Sequence, residues 1–203
     1  MKVEVKLSTT INDYLSDYAE RLTNGLRSVS NVQLLMAEAK ILETIQNRGT
    51  IYVCGNGGSA AISDHFLCDH SKCIHADTDM RPKIVSLPSS ISTITAIAND
   101  ISYDEIFSHQ LKMFADPTDL LIVISASGNS QNIIKALEQA DKMGLSTIAF
   151  VGFEGGEASG LADILLHVDE KNYGIVEDAH QALMHILAQR IRLTHLNKST
   201  ITL

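Results

Sequence analysis

Thr50-Ile51-Tyr52-Val53-Cys54-Gly55-Asn56-Gly57-Gly58-Ser59-Ala60-Ala61 is the stretch from which the fold can be read. An apolar run rich in β-branched residues stops at a glycine cluster, and a segment of helical character begins. The pattern is that of a strand, a tight turn and a helix N-terminus. Glycine adopts positive φ and lets a ligand come close to the backbone. The first N–H groups of a helix lack internal partners, and the helix dipole favours an anion there. The stretch is therefore a candidate phosphate cradle. A glycine-rich connector with no ligand has the same pattern. No Gly-Lys-Ser/Thr follows, so this is not a Walker A loop. Gly55-x-Gly57-x-x-Ala60 half-matches a dinucleotide fingerprint, which also needs an acidic residue closing the next strand. The next strand candidate, residues 83–87, ends in Pro88 and Ser89, while Asp77 and Asp79 precede it in a polar loop. A nicotinamide cofactor is disfavoured, and a small phosphorylated ligand is favoured.

The rest of the chain fits around this turn. Two amphipathic helices are expected first: residues 10–29, with Ile11, Leu15, Tyr18, Leu22 and Leu26 at helical spacing, and Asn31–Gln46, with Leu34, Leu35, Ala37, Ile41 and Leu42 apolar. They have no crossover role, so they either cap the sheet or pair with another subunit. After the first strand comes a helix over about 59–68, a polar loop over 70–82 and strand two over 83–87. Ser89 or Ser90 is the expected cap of a helix through Ile94, Ala96 and Ile97, interrupted at Asn99-Asp100. Residues 103–114 read as another helix. Strand three, 119–124, is an almost unbroken apolar run suited to a sheet covered on both faces. It ends in Ser125-Ala126-Ser127-Gly128-Asn129-Ser130 before a helix over 131–143. Strand four is Ser146–Val151, a glycine-rich turn covers 152–160, strand five is 164–168, and a long helix covers 174–195. A lead-in at 1–9 and a polar tail after His195 complete the chain.

Alternating strands and helices predict an α/β fold: a doubly wound, parallel, five-stranded sheet flanked by helices, with two extra N-terminal helices. One domain is expected over 1–203, with N-terminal helices at about 10–46 and an α/β core at about 50–195. Ligands of such sheets bind outside the carboxyl ends of the strands, where the loops 55–59 and 125–130 both fall. The chain has 203 residues, 45% of them apolar, and a formal net charge of −8, which argues against nucleic acid as a partner. No apolar run reaches the about 18 residues of a membrane span, and no signal-peptide core is visible at the N-terminus. The three cysteines, Cys54, Cys68 and Cys73, have no metal-site spacing and suit reduced thiols in the cytoplasm.

Three constellations carry chemistry. Ser125, Ser127 and Ser130 around Gly128 can offer several donors to one phosphate, although Ser127 or Ser130 could equally cap the next helix. His65 and Asp69, four apart, share a helix face and can hold a divalent metal, form a proton-transfer pair, or be an ordinary surface pair. In the last helix, Glu177 and His185 lie eight apart, about 80° round the axis at roughly 3.6 residues per turn, so both can reach one pocket. Glu177 and His180 also have the Glu-x-x-His spacing of metal ligands, and Val176, Ala179, Leu183, Ile186 and Leu187 form the expected core stripe.

Together these residues resemble the sugar isomerase (SIS) domain family, whose fold is a flavodoxin-like three-layer sandwich, and within it the phosphoheptose isomerase branch. The resemblance covers about residues 10–195. It is carried by Cys54-Gly-Asn-Gly-Gly-Ser-Ala-Ala61, Asp64-His65-Phe66, Thr95-Ala-Ile-Ala-Asn-Asp100, Ile124-Ser-Ala-Ser-Gly-Asn-Ser130 and Glu177-Asp-Ala-His-x4-His185. It implies a cytoplasmic homotetramer with active sites at subunit interfaces. It also implies conversion of sedoheptulose 7-phosphate to D-glycero-D-manno-heptose 7-phosphate for lipopolysaccharide precursors. Carried over residue by residue, Asn56, Gly57, Gly58 and Ser59 contact substrate, Ser125, Ser127 and Ser130 hold its phosphate, and Asn99, Asp100 and Glu177 contact the sugar. His65, Asp69, Glu177 and His185 occupy the positions of one zinc site per subunit, with Asp69 as carbon base and His185 as its acid/base partner. The family usually has glutamate where Asp69 stands and glutamine where Glu177 stands. A shorter carboxylate draws the base back by roughly 1.5 Å, a displacement that can cost about 100-fold in rate. Two other functions fit the same resemblance: a non-catalytic SIS module that binds a sugar phosphate or serves as a replication-initiation scaffold, and an isomerase of another sugar phosphate.

Overall fold

Each of the five apolar runs forms a strand: β1 (Thr50–Gly55), β2 (Lys83–Ser86), β3 (Leu120–Ser125), β4 (Ser146–Val151) and β5 (Ile164–His167). All neighbours pair in parallel in the order β2-β1-β3-β4-β5. The chain leaves β1 to one side for β2 and returns to the other side for β3. The carboxyl ends of β1 and β3 therefore flank the switch point of the sheet, with Gly55 opposite Ile124. The computed structural model describes residues 10–196; the expected lead-in at 1–9 and the tail beyond 196 lie outside the described residues.

Strand residues alternate between two cores. Ile51, Val53, Leu120, Ile122, Ile124, Ile148 and Phe150 face one side with α2 (Asn31–Gln46), α3 (Gly58–Cys68) and α8 (Tyr173–Thr194). Tyr52, Cys54, Leu121, Val123, Ala149 and Val151 face the other with α5 (Ile91–Asp100), α6 (Ser108–Phe114) and α7 (Gln131–Met143). Every residue of β3 is buried. Each buried Val, Leu, Ile or Phe contributes about 1.5–3 kcal/mol of transfer free energy, so the central strand anchors both layers. α1 (Ile11–Ser28) is capped by Thr10 and α2 by Ser30. α2 covers the sheet with Ala37, Ile41 and Ile45, whereas α1 lies along α8, joined to it by Tyr18–Asp178 at 2.7 Å and to the segment before it by Arg21–Glu170 at 2.6 Å. Both leave apolar residues in the open, Ile11, Leu15, Val32 and Leu35 among them.

Several expectations are corrected. The segment expected as a loop over 70–82 is largely helical: α3 passes into a π-helical turn, Asp69–Cys73, and then α4 (Ile74–Asp77). Arg192 from α8 closes on Asp77. Asn99 and Asp100 end α5 rather than interrupt it, and Ser90 supplies its cap. Residues 103–114 divide into a 3-10 turn, Tyr103–Glu105, and α6. Strands two, three and five differ from expectation by a residue at their ends. Ile186 is 38% exposed and is not in the core stripe. His180 fills the inward position instead, edge-on to Phe150 with ring centroids 5.9 Å apart, which removes it from any metal site. No helix among the described residues is long and apolar enough to cross a membrane.

His70 and His180 are fully buried; none of their ring nitrogens makes a well-formed hydrogen bond, and the nearby backbone of Phe66 and Val151 offsets only part of the cost of burial. Desolvation pushes the first down to about 3 and the second to about 4. An unfolded imidazole protonates near pH 6.5. Between that pH and about 4 the unfolded chain binds more protons than the native one, so stability falls as pH falls through this window. One such histidine loses up to about 1.4 kcal/mol per pH unit. In urea unfolding at pH 7.5, 6.0 and 5.0, His180→Leu is expected to show a shallower acid loss than the parent chain. Parallel losses would refute the assignment.

Candidate active site

Two loops at the switch point enclose a cavity of about 220 Å³ lined by Asn56, Ser59, Ser125, Ser127, Ser130, Tyr173 and Glu177. The first loop turns through Gly57, whose φ of 56° and ψ of −121° suit only glycine, and the helix α3 begins immediately after it. The second loop turns through Gly128 (φ 65°), where a Cβ would lie 2.0 Å from the Gly155 carbonyl oxygen. Gly128 thus lets the serine loop pack against the glycine-rich turn after β4. Asn56 and Asn132 exchange side-chain hydrogen bonds of 2.8 and 2.9 Å, which fix the distance between the loops. The Tyr103 hydroxyl donates a further hydrogen bond of 3.0 Å to Asn56 Oδ1.

The capping alternative for the serines is answered in part. Ser130 stands at the N-cap position of α7, yet its side chain makes no capping bond. Ser125 Oγ accepts from Gly128 N–H at 3.2 Å and Ser127 Oγ from Asn129 N–H at 3.3 Å, both within the loop. The hydroxyls therefore shape the loop and line the cavity at the N-terminus of a 13-residue helix, whose dipole favours an anion.

Glu177 enters this cavity from α8. A Cβ built on Gly58 would lie 2.6 Å from Glu177 Oε2 and 2.9 Å from Oε1, so the carboxylate lies on the first turn of α3, where the helix dipole favours it.

From that contact the two helices carry a second cluster. His65 and Asp69 come from α3 and its π-helical continuation, and His185 from α8. Asp69 sits between the imidazoles, with Oδ1 3.4 Å from His65 Nε2 and Oδ2 3.3 Å from His185 Nε2. The rings meet edge-on at 4.9 Å. One donor atom from each of the three lies within 4.8 Å of the others. Two imidazole nitrogens and a carboxylate oxygen suit a divalent metal ion. Asp69 offers a different oxygen to each imidazole, and the three side chains are close enough together to converge on one ion. The same trio also suits proton transfer: a carboxylate and an imidazole in hydrogen-bonding range, partly open to solvent. Cys73 approaches the other flank of Asp69, with Sγ 3.8 Å from Oδ1; burial and then the Asp69 charge push its thiol up, so it stays protonated as a donor.

Of the expected site residues, the structure gathers Asn56, Ser59, Ser125, Ser127, Ser130 and Glu177 around one cavity, with Gly57 and Gly58 at the turn beside it. It gathers His65, Asp69 and His185 around one point. Glu177 is not with that trio. Asn99 and Asp100 are exposed, hydrogen-bonded to each other at 2.8 Å, and do not line the cavity. Tyr103, Asn132, Tyr173 and Gln181 were not anticipated. Gln181 lies between the imidazoles, its amide nitrogen 2.9 Å from His65 Nδ1 and 3.2 Å from His185 Nε2. A larger cavity of about 440 Å³, bounded by Ser71, Lys72, His75, Arg81 and Pro82, holds none of the expected residues.

The SIS domain family profile matches residues 13–152. A probable phosphoheptose isomerase of Thermoplasma volcanium is 37% identical over 177 residues, covering 87% of this chain and 90% of that protein. A phosphoheptose isomerase of Helicobacter pylori strain P12 is 35% identical over 174 residues, covering 86% and 90%. The solved structure of phosphoheptose isomerase from Neisseria gonorrhoeae superposes with a TM-score of 0.80 at 29% identity, covering 90% of this chain and 98% of that one. With its sheet order, its two loops at the switch point and these similarities in agreement, the chain belongs to the SIS domain family, in the phosphoheptose isomerase branch.

Proposed function

We propose that the chain is a phosphoheptose isomerase that interconverts sedoheptulose 7-phosphate and D-glycero-D-manno-heptose 7-phosphate, a step toward lipopolysaccharide heptose. The observation that carries this reading is the layout of α3 and α8. Both run from the serine-lined cavity to the Asp69–His185 cluster. From Glu177 to His185 the axis of α8 rises about 12 Å. An extended seven-carbon chain with a terminal phosphate spans roughly 10 Å on ordinary bond lengths. A phosphate held by Ser125, Ser127 and Ser130 therefore puts the first two carbons near Asp69. Asn56, Gly57, Gly58, Ser59 and Glu177 would line the path, and Asn99 and Asp100, exposed on one chain, would meet the sugar at a subunit interface.

In the direction from ketose to aldose, Asp69 takes a proton from C1 while His185 gives one to the carbonyl oxygen on C2, producing an enediol. His185 then recovers the proton of the C1 hydroxyl, and Asp69 delivers its proton to C2. His65 holds Asp69 in place between the two rings. The trio His65, Asp69 and His185 would hold one zinc ion per subunit, with Glu177 outside that trio; zinc there would supply Lewis acidity toward the substrate carbonyl. The free thiols of Cys54, Cys68 and Cys73 suit a reducing, cytoplasmic setting. The apolar outer faces of α1 and α2 suit burial in a homotetramer.

Asp69→Asn keeps the size of the side chain and removes its basicity. It should lower turnover of sedoheptulose 7-phosphate at least 100-fold, and lower solvent deuterium entry into the sugar equally, with an unchanged thermal midpoint. Near-normal turnover would refute the role. Light scattering of the purified protein should return about four times the mass of one chain, and a monomeric mass would refute the tetramer.

A further inference from the structure

The Gln181 amide touches both imidazoles, and we propose that it is the positioning residue of the metal centre, a part that Glu177 does not play. The inference rests on the isomerase reading of the His65–Asp69–His185 trio. Residues 177, 181 and 185 follow one another at intervals of four, so they stack along one face of α8. The first of the three is engaged elsewhere: the Glu177 carboxylate lies against Gly58 at the N-terminus of α3 and lines the serine cavity. The second reaches both rings, at 2.9 Å from His65 Nδ1 and 3.2 Å from His185 Nε2.

The chemistry of the contact is specific. His65 turns its other nitrogen, Nε2, toward Asp69 at 3.4 Å. A histidine ligand is oriented by the hydrogen bond made by its second ring nitrogen, which sets both the ring plane and the tautomer. An amide can serve here because its oxygen and nitrogen exchange places by a half-turn of the terminal torsion. With its oxygen toward the rings, Gln181 accepts the Nδ1–H of His65. That leaves the Nε2 lone pair of His65 directed at Asp69, where a cation would be held. Leucine has a similar size and no polar atom, so Gln181→Leu removes this hydrogen bond with little change of shape.

The test is the affinity of metal-free protein for zinc, by competition with a chromophoric chelator, for the parent chain, Gln181→Leu and Glu177→Leu. Circular dichroism and thermal midpoints of the metal-free forms establish folding. Gln181→Leu is expected to weaken zinc binding by about 10- to 100-fold, the usual effect of removing an orienting partner, while Glu177→Leu changes it less than threefold. The visible spectrum of the cobalt(II) form should change with Gln181→Leu alone. If Gln181→Leu does not fold, Gln181→Glu, which keeps an acceptor oxygen, should bind zinc within a few-fold of the parent. Equal affinity of Gln181→Leu and parent overturns the inference alone, as does a larger loss in Glu177→Leu than in Gln181→Leu. A parent chain that takes up no zinc overturns the metal reading of the trio, and the inference with it.

Discussion

Residue 58 has no side chain, and the place of the Glu177 carboxylate depends on that. A methyl group there would collide with the Glu177 carboxylate, the far end of a flexible side chain, and turn it away from the first turn of α3. The same two helices carry the trio and its amide neighbour, with His65 and Asp69 on α3 and its continuation and Gln181 and His185 on α8. A carboxylate at 3.4 and 3.3 Å from two imidazoles tolerates little relative movement of its supports. The attraction between the charge and the helix N-terminus opposes separation. One steric allowance and one electrostatic contact thus hold the Glu177 carboxylate at the start of α3.

Placing that carboxylate beside the cavity proposed for the phosphate has an energetic cost, since like charges repel. The cavity offsets it with donors arranged opposite: hydroxyls of Ser125, Ser127 and Ser130, and the N-terminus of α7. The mutual pair Asn56–Asn132 keeps the two walls at a fixed distance. The chain as a whole is acidic, so attraction for an anionic sugar arises from these local dipoles rather than from net charge.

The strands, their parallel order and the location of the ligand edge were legible because each depends on a short-range pattern: β-branched runs ending in glycine or serine, with helical periodicity between them. His65 and Asp69 were legible because four residues make one helical turn. The helix over 74–77 was not, since a π turn adds a residue and shifts the hydrophobic phase, so the period counted from Ile62 and Phe66 fails beyond Asp69. Gln181 carried no signal, being a single amide on a helix of mixed character. Its place depends on a neighbouring helix 116 residues away in sequence. The contact of Glu177 with Gly58 was equally invisible, because spacing along α8 says which residues share a face but not how far the adjacent helix allows each to reach. His180 had metal-ligand spacing from Glu177, yet a buried position against Phe150 took precedence over it.

The π turn at Asp69–Cys73 resolves a conflict of phase. Upstream, the helix must present Asp69 to α8 beside His185; downstream, it must bury Ile74 and bring Asp77 to Arg192. Each residue of an α-helix advances about 100°, and one uninterrupted helix would satisfy only one of these demands. The surplus residue acts as a rotational spacer that decouples the reactive half of the segment from the anchoring half. A chain shortened by one residue there would gain a more regular helix and lose the alignment of one half or the other.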